Sequence, residues 1–318
     1  MAPNEEERPA RGKLRADAVL LAVTVVWGSS FVVVRHALDT APPFLLIFCR
    51  FALGAALLAP LLRKRMRSAG FWRDGWILGS LLALEMALQV SGQAGTTATN
   101  AGFLTGLAVV LTPFIAVFRT GRLPTLENGV GITLASVGFL LLTYPGRGAS
   151  FQRGDLLLAA SAVVFAAYMV ELAERSSRHD ALRLTAAQLS IVALGTGGLS
   201  LLARSPLFAG TVAGALESRP VDWHGAFPGS VLYLGFFCTF LAFLGATWAQ
   251  GRMSAIHAAI ILALEPVVAS LLAAWFLGER PGRRRVAGAA LVLAGIVVSE
   301  LRLRSRRARG AAGATESH

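Results

Sequence analysis

The sequence predicts an all-α membrane protein of ten transmembrane helices, arranged as two inverted five-helix repeats. Three observations carry that prediction. The chain is 55% hydrophobic and only 15% charged, whereas an ordinary soluble domain carries about 25% charged residues. Its apolar residues gather in stretches of about 20, the length that crosses a hydrocarbon core of about 30 Å as a helix. Finally, pieces of the first half can be laid on pieces of the second without gaps and in the same order.

Ten segments follow along the chain: 17–36, 44–62, 76–95, 98–118, 127–144, 155–174, 182–203, 227–248, 255–277 and 286–303. In the first, the apolar run continues past the small residues Gly28-Ser29-Ser30 through Phe31-Val32-Val33-Val34. That continuation favours a retained span over a cleaved signal peptide. The second segment holds Arg50, the one base well inside a span. The third places Glu85, Gln89 and Gln93 at steps of four, with Thr96 and Thr97 beyond. Residues four apart share a helix face, so these form a polar stripe. Such a stripe either lines a cavity or glues two helices together. A lone carboxylate needs water or a partner, which favours the cavity.

Pro113 sits in the fourth segment, and Gly131 and Gly138 in the fifth. Phe165 and Tyr168 lie in the sixth, with Glu171 and Glu174 at its end as solvated-edge residues. After the seventh segment comes the longest connection, 204–226, rich in proline, glycine and mixed charge. The eighth segment contributes Tyr233 and Thr239; the ninth contains His257, Glu265 and Pro266; the tenth carries Gly288 and Gly295.

The formal net charge of +12 does not indicate nucleic acid. RKRMR (63–67), RPGRRR (280–285) and RLRSRRAR (302–309) flank apolar segments, as membrane-surface anchors do. No nucleic-acid-binding module accompanies them. Cys49 and Cys238 both lie in apolar stretches, which argues against a disulfide framework or a thiolate metal site. No HExxH pattern and no GxxxxGK[ST] loop occurs, so neither a metal, a cofactor nor ATP-driven pumping is expected. No paired nucleophile and base suggests an enzyme. Most Lys and Arg in the connections fall on the side of the two termini. The positive-inside rule then places both termini in the cytoplasm of a multi-pass protein of the cytoplasmic (inner) membrane. The 280–285 cluster falls outside, against the trend.

The internal repeat has three matches. ADAVLLAVTVVWGSSF (16–31) lies on GDLLLAASAVVFAAYM (154–169), VVLTPFIA (109–116) on LALEPVVA (262–269), and GITLASVG (131–138) on GAALVLAG (288–295). Residues 17–146 form the first repeat and 147–303 the second, between polar tails 1–16 and 304–318. Five is odd, so the second set enters the membrane from the opposite face. Inverted repeats with interrupted helices at matching positions are a sign of a carrier with its site near the midplane. Pro113 and Pro266 are the candidate interruptions. Each denies an amide partner to the carbonyl four residues earlier, on Val109 or Leu262. Such a carbonyl is tolerated where it faces protein or a wet cavity.

The chain resembles the EamA-type members of the drug/metabolite transporter superfamily over nearly its whole length. The resemblance is carried by WGSSF (27–31), CRFALGAALLAP (49–60), AGFLTGLAVVLTPF (101–114), LGFFCTFLAF (234–243) and AAIILALEPVVASLLAAWFLGE (258–279), with the glycine-bearing last span. It implies ten helices in two inverted halves, a central cavity opening alternately to each side, and movement of small metabolites such as amino acids.

The candidate cavity residues are Trp27, Ser29, Ser30, Arg50, Glu85, Gln89, Phe165, Tyr168, Thr239, His257 and Glu265. Aromatic rings beside hydroxyls suit an amphipathic small molecule, though aromatic residues also pack helices. Arg50 needs a counter-ion, and Glu85 or Glu265 is the expected one; a structural ion pair and a site for a substrate carboxylate are equal readings. His257 and Glu265 lie about 80° and about 12 Å apart on one helix, so they do not share a metal. His257 is either a cavity residue or an interfacial cap. Glu265 adjoins Pro266 and is either a transport residue, exchanging a proton, or part of the architecture. The expected function is a secondary carrier, in the export direction, whose partners are a small-molecule substrate and membrane lipid. The alternatives are a lipid-carrier translocase, a passive small-solute pore or, behind these, an intramembrane enzyme.

Overall fold

A computed structural model describes residues 7–62, 69–96, 98–121, 123–143, 152–208, 210–268, 271 and 282–298. The basic cluster 63–67, Thr97, parts of the last two segments and the carboxy-terminal tail lie outside the described residues. Among those described, regular structure is helical, with no strand. The first five helices are α1 (Glu7–Thr40), α2 (Pro43–Leu62), α3 (Ala69–Ala94), α4 (Ala98–Thr120) and α5 (Leu126–Thr143). Then come α6 (Arg153–Ser176), α7 (Ala181–Ala203) and the short α8 (Val212–Glu217). A continuous rod follows, made of α9 (Ala226–Tyr233), a π-helical segment (Leu234–Leu241) and α10 (Ala242–Gln250). α11 (Ala255–Leu262) and α12 (283–298) complete the set.

Among the described residues, six helical stretches are long and apolar enough to cross a membrane: Pro43–Pro60, Gly70–Ala94, Phe103–Thr120, Arg153–Ser176, Ala181–Ala203 and Ala226–Gln250. Asn128–Thr143 and Ala255–Val268 are shorter apolar helices. Large apolar side chains on these rods face outward, Phe118 at 92% and Leu201 at 75% exposure. In water such surface would be a liability; on a multi-pass membrane protein it is the surface that lipid covers. α1 extends further than expected. Residues 7–16, expected as part of a polar tail, continue the helix: Pro9 falls in its first turn, where its missing N–H breaks no ladder bond, and the Ala, Arg, Lys and Leu around Gly12 favour helix.

Local chemistry sets several helix starts. The Asp180 carboxylate accepts from the Arg183 amide at 3.0 Å at the start of α7, and the Ser254 hydroxyl accepts from the His257 amide at 3.2 Å at the start of α11. Such caps are worth about 1 kcal/mol each. At the start of α6, Asp155 accepts from the Gln152 amide at 2.8 Å and also from the Thr96 hydroxyl, which ties α6 to the residues just past α3.

The helices pack in an exchanged pattern. α2 lies along α7; α3 packs on α6 and α7, while the α9–α10 rod packs on α1 and α2. α4 packs on α6, and α11 on both α1 and α4. One apolar core runs through Phe51, Leu78, Leu82, Met169, Leu189 and Phe243 and so draws on both halves. α5 and α12 cross backbone to backbone. A Cβ at Gly138 would lie 2.6 Å from the Gly288 carbonyl oxygen, and one at Gly295 would lie 2.6 Å from that of Gly131. Only residues without a side chain allow that approach.

Candidate functional site

Polar side chains from both halves meet where α2, α3, α6, α7 and the π-helical segment converge. Arg50, on α2, is only 6% exposed. Its Nε donates to the Thr239 hydroxyl at 2.9 Å, and its guanidinium stands 5.3 Å from the ring of its neighbour Phe51. Glu85, on α3, is 1% exposed. Its Oε1 accepts from Gln89 Nε2 at 3.0 Å, one helical turn on, and its Oε2 is buried with no hydrogen-bond partner among the described residues. Glu85 lies within electrostatic reach of both Arg50 and Glu265. Neither acid closes an ion pair with Arg50. The expected counter-ion contact is therefore replaced by a hydroxyl, because the π-helical segment brings Thr239 against α2.

An aromatic wall adjoins these charges. Trp27 meets Phe165 edge-on at 6.4 Å, and Phe165 stacks on Tyr168 at 5.9 Å. Trp27 also donates its indole N–H to the Cys238 carbonyl at 3.0 Å. The wide i→i+5 turn of a π-helix displaces carbonyls from the α ladder, and Cys238 lies inside that turn. Tyr168 is 1% exposed, lies within electrostatic reach of Glu85, and donates to Gln188 Oε1 at 2.8 Å. Ser29 and Tyr233 share a 2.6 Å hydrogen bond between α1 and α9, whereas Ser30 turns back to the Trp27 carbonyl of its own helix.

The two prolines sit in different local structures. The ninth segment breaks at Ala263–Leu264 and resumes helically at 265–268. Leu264 donates to the Ile261 carbonyl at 3.1 Å, a tightened turn, before Val268 restarts the ladder on Leu264 at 2.9 Å. Pro266 thus stands in the first turn of the resumed helix, where a missing N–H leaves no ladder bond unmade. Gly28 packs on this break; a Cβ there would lie 3.1 Å from the Glu265 carbonyl oxygen. α4, by contrast, runs continuously through Pro113.

His257 is also held apart. Its Nε2 lies 2.9 Å from Asp17 Oδ1, joining the start of α11 to α1. Glu171 differs from the solvated-edge expectation: it meets Arg119 at 3.0 Å and Arg175 at 2.6 Å, because α4 ends alongside α6. Glu174 adds a 3.8 Å contact to Arg119. Asp74, on α3, accepts from Arg175 and lies 2.9 Å from His179, completing a network that ties α3, α4 and α6 at one end of the bundle. Sequence reasoning passed over Gln188, Asp74 and the π-helical segment. Gln188 is the only amide in the seventh span, which was a readable signal. Among the described residues no group of His, Cys, Asp and Glu could hold a metal ion.

Comparison with known proteins adds to this geometry. The sequence profile of the EamA-like transporter family matches residues 14–144 and again 152–301. An uncharacterized transporter of Archaeoglobus fulgidus is 30% identical over 292 residues, 92% of this chain and 87% of the relative. A protein named probable terminal-alkyne amino-acid exporter, from Streptantibioticus cattleyicolor, is 26% identical over 91% of this chain and 94% of its own length. A probable amino-acid metabolite efflux pump of Salmonella typhimurium is 27% identical over 94% and 99%. A solved crystal structure superposes with a TM-score of 0.73 over 91% of this chain and 98% of that one, at 20% identity, which shows a shared fold.

Proposed function

The chain belongs to the EamA-like transporter family, and from that premise we propose that it is a secondary carrier exporting small metabolites such as amino acids by alternating access. The observation that carries this reading is the buried charge cluster. Arg50 and Glu85 come from the first half, Thr239, Tyr168 and Glu265 from the second, and all lie within helices that an apolar environment surrounds. Ionisable groups inside a membrane bundle are expensive and mark substrate or ion pathways. Export is supported by the two relatives named as an exporter and an efflux pump.

The chain is read as ten spans in two inverted halves, 17–146 and 147–303, with both termini in the cytoplasm. Packing supports an antiparallel relation between the halves. The repeat pairs Gly131 with Gly288 and Gly138 with Gly295; the observed contacts join Gly138 to Gly288 and Gly131 to Gly295. Exchanging each residue for its repeat counterpart turns one contact into the other, as a twofold axis through an antiparallel crossing requires. The larger pattern obeys the same exchange. α3 packs on α6 and α7, and its counterpart rod packs on α1 and α2.

Glu85 lies within electrostatic reach of both Arg50 and Glu265, so two acids face one another in the cluster. In this reading Glu265 exchanges a proton as the solute crosses, and the break before Pro266 lets the resumed helix move with it. The test is counterflow in proteoliposomes holding the full chain, preloaded with unlabelled amino acids. Saturable entry of label, competed by particular members, is the expected result; entry that never saturates points to a pore. Glu265→Gln should still exchange solute at equal pH but lose accumulation driven by a pH gradient. Unchanged gradient-driven accumulation would remove the proton role.

A further inference from the structure

Arg50 and Glu85 are oppositely charged, buried, and close enough to attract, yet they do not close on one another. Opposite charges sequestered together offset part of their desolvation by pairing, and a buried charge left without a partner is costly. Here each is half engaged. Thr239 holds Arg50 through Nε, and among the described residues the terminal guanidinium nitrogens make no further hydrogen bond. Gln89 holds Glu85 through Oε1, which leaves Oε2 buried and unsatisfied. One pole therefore offers donors in the fork that suits a carboxylate, and the other offers an acceptor that suits an ammonium. The Trp27–Phe165–Tyr168 wall stands beside them, with Tyr168 within electrostatic reach of Glu85.

Resting on the carrier reading above, we infer that this gap is a two-pole site for a zwitterionic solute, an α-amino acid with an apolar side chain. Its carboxylate meets Arg50, its ammonium meets Glu85 Oε2, and its side chain lies against the aromatic wall. A solute with only one charge satisfies one pole and leaves the other buried without a partner. Discrimination on that basis is large, because a site built around a polar group rejects the analogue that lacks it.

Three probes of matched side chain separate the poles: phenylalanine, 3-phenylpropionate without the ammonium, and phenethylamine without the carboxylate. Each is assayed on the full chain, as a thermal-unfolding shift in detergent and as a competitor of counterflow. In the unmodified protein phenylalanine is expected to bind at least about tenfold tighter than either analogue. Glu85→Gln should abolish the preference over 3-phenylpropionate alone, and Arg50→Gln the preference over phenethylamine alone. Arg50→Lys should restore part of the latter. Equal binding of all three probes by the unmodified protein overturns the two-pole site without recourse to any variant. A uniform loss across the three probes in both folded variants overturns it as well. Phenylalanine binding with the stated preference but no counterflow of any solute would leave the two-pole site standing and remove the carrier reading.

Discussion

At the scale of single residues, the buried polar groups divide into those that are mutually satisfied and those that are held open. Tyr168 and Gln188 belong to the first kind. The phenol donates to Gln188 Oε1, and the amide nitrogen donates on to the Leu184 carbonyl at 3.2 Å. Tyr168→Phe leaves the Gln188 oxygen buried without its donor, which costs about 1–3 kcal/mol. A lowered unfolding temperature in detergent checks this. Adding Gln188→Leu should recover part of the loss, since the two positions share one bond and do not add. Glu85 Oε2 is of the second kind, and its lack of a protein partner separates a binding pole from a structural pair.

At the scale of elements, close backbone contact decides which helices can cross. α5 and α12 approach so nearly that a Cβ on Gly138 would sit 2.6 Å from a backbone carbonyl oxygen. Gly138→Ala should therefore force the helices apart and cost about 1–3 kcal/mol as overpacking. Gly198, on α7, has nothing within 4 Å of an added Cβ. Gly198→Ala should be neutral or stabilising by up to about 1 kcal/mol, through helix propensity alone. Thermal unfolding of the pair in parallel checks the opposite signs; equal effects would mean that the crossing is not rigid. The two prolines teach a related lesson. The same residue interrupts nothing visible inside α4, yet lies beside a full break in the ninth segment, where the turn at Ala263–Leu264 has already ended one helix.

At the scale of the whole molecule, the proposed inversion of the halves makes a prediction about sidedness. Asp39, near the end of α1, and Arg178, just after α6, occupy comparable connections in the two halves, and both are exposed. In a background where Cys49 and Cys238 are replaced, single cysteines at 39 and 178 should react with a membrane-impermeant thiol reagent from opposite faces. Position 178 should react from the cytoplasm. Reaction of both from one face would rule out inversion. The ion network of Asp74, Glu171, Arg119 and Arg175 lies at the same end as position 178 and ties three helices there.

What the sequence determined by itself was class, membrane-spanning potential and doubling. Apolar length and charge placement are local properties, readable residue by residue, and the repeat at 131–138 and 288–295 is plain in the letters. The family resemblance followed from the order of motifs such as WGSSF and LALEPVVAS. Tertiary structure decided which polar groups meet. Arg50 finds Thr239 and no acid, His257 finds Asp17 far from Glu265 along the chain, and Trp27 finds a carbonyl inside a π-helical turn. Helical spacing says which residues share a face of one rod. It says nothing of how the rods are rotated and shifted against each other, and those contacts between distant segments are where the charges of this protein are either paired or left open.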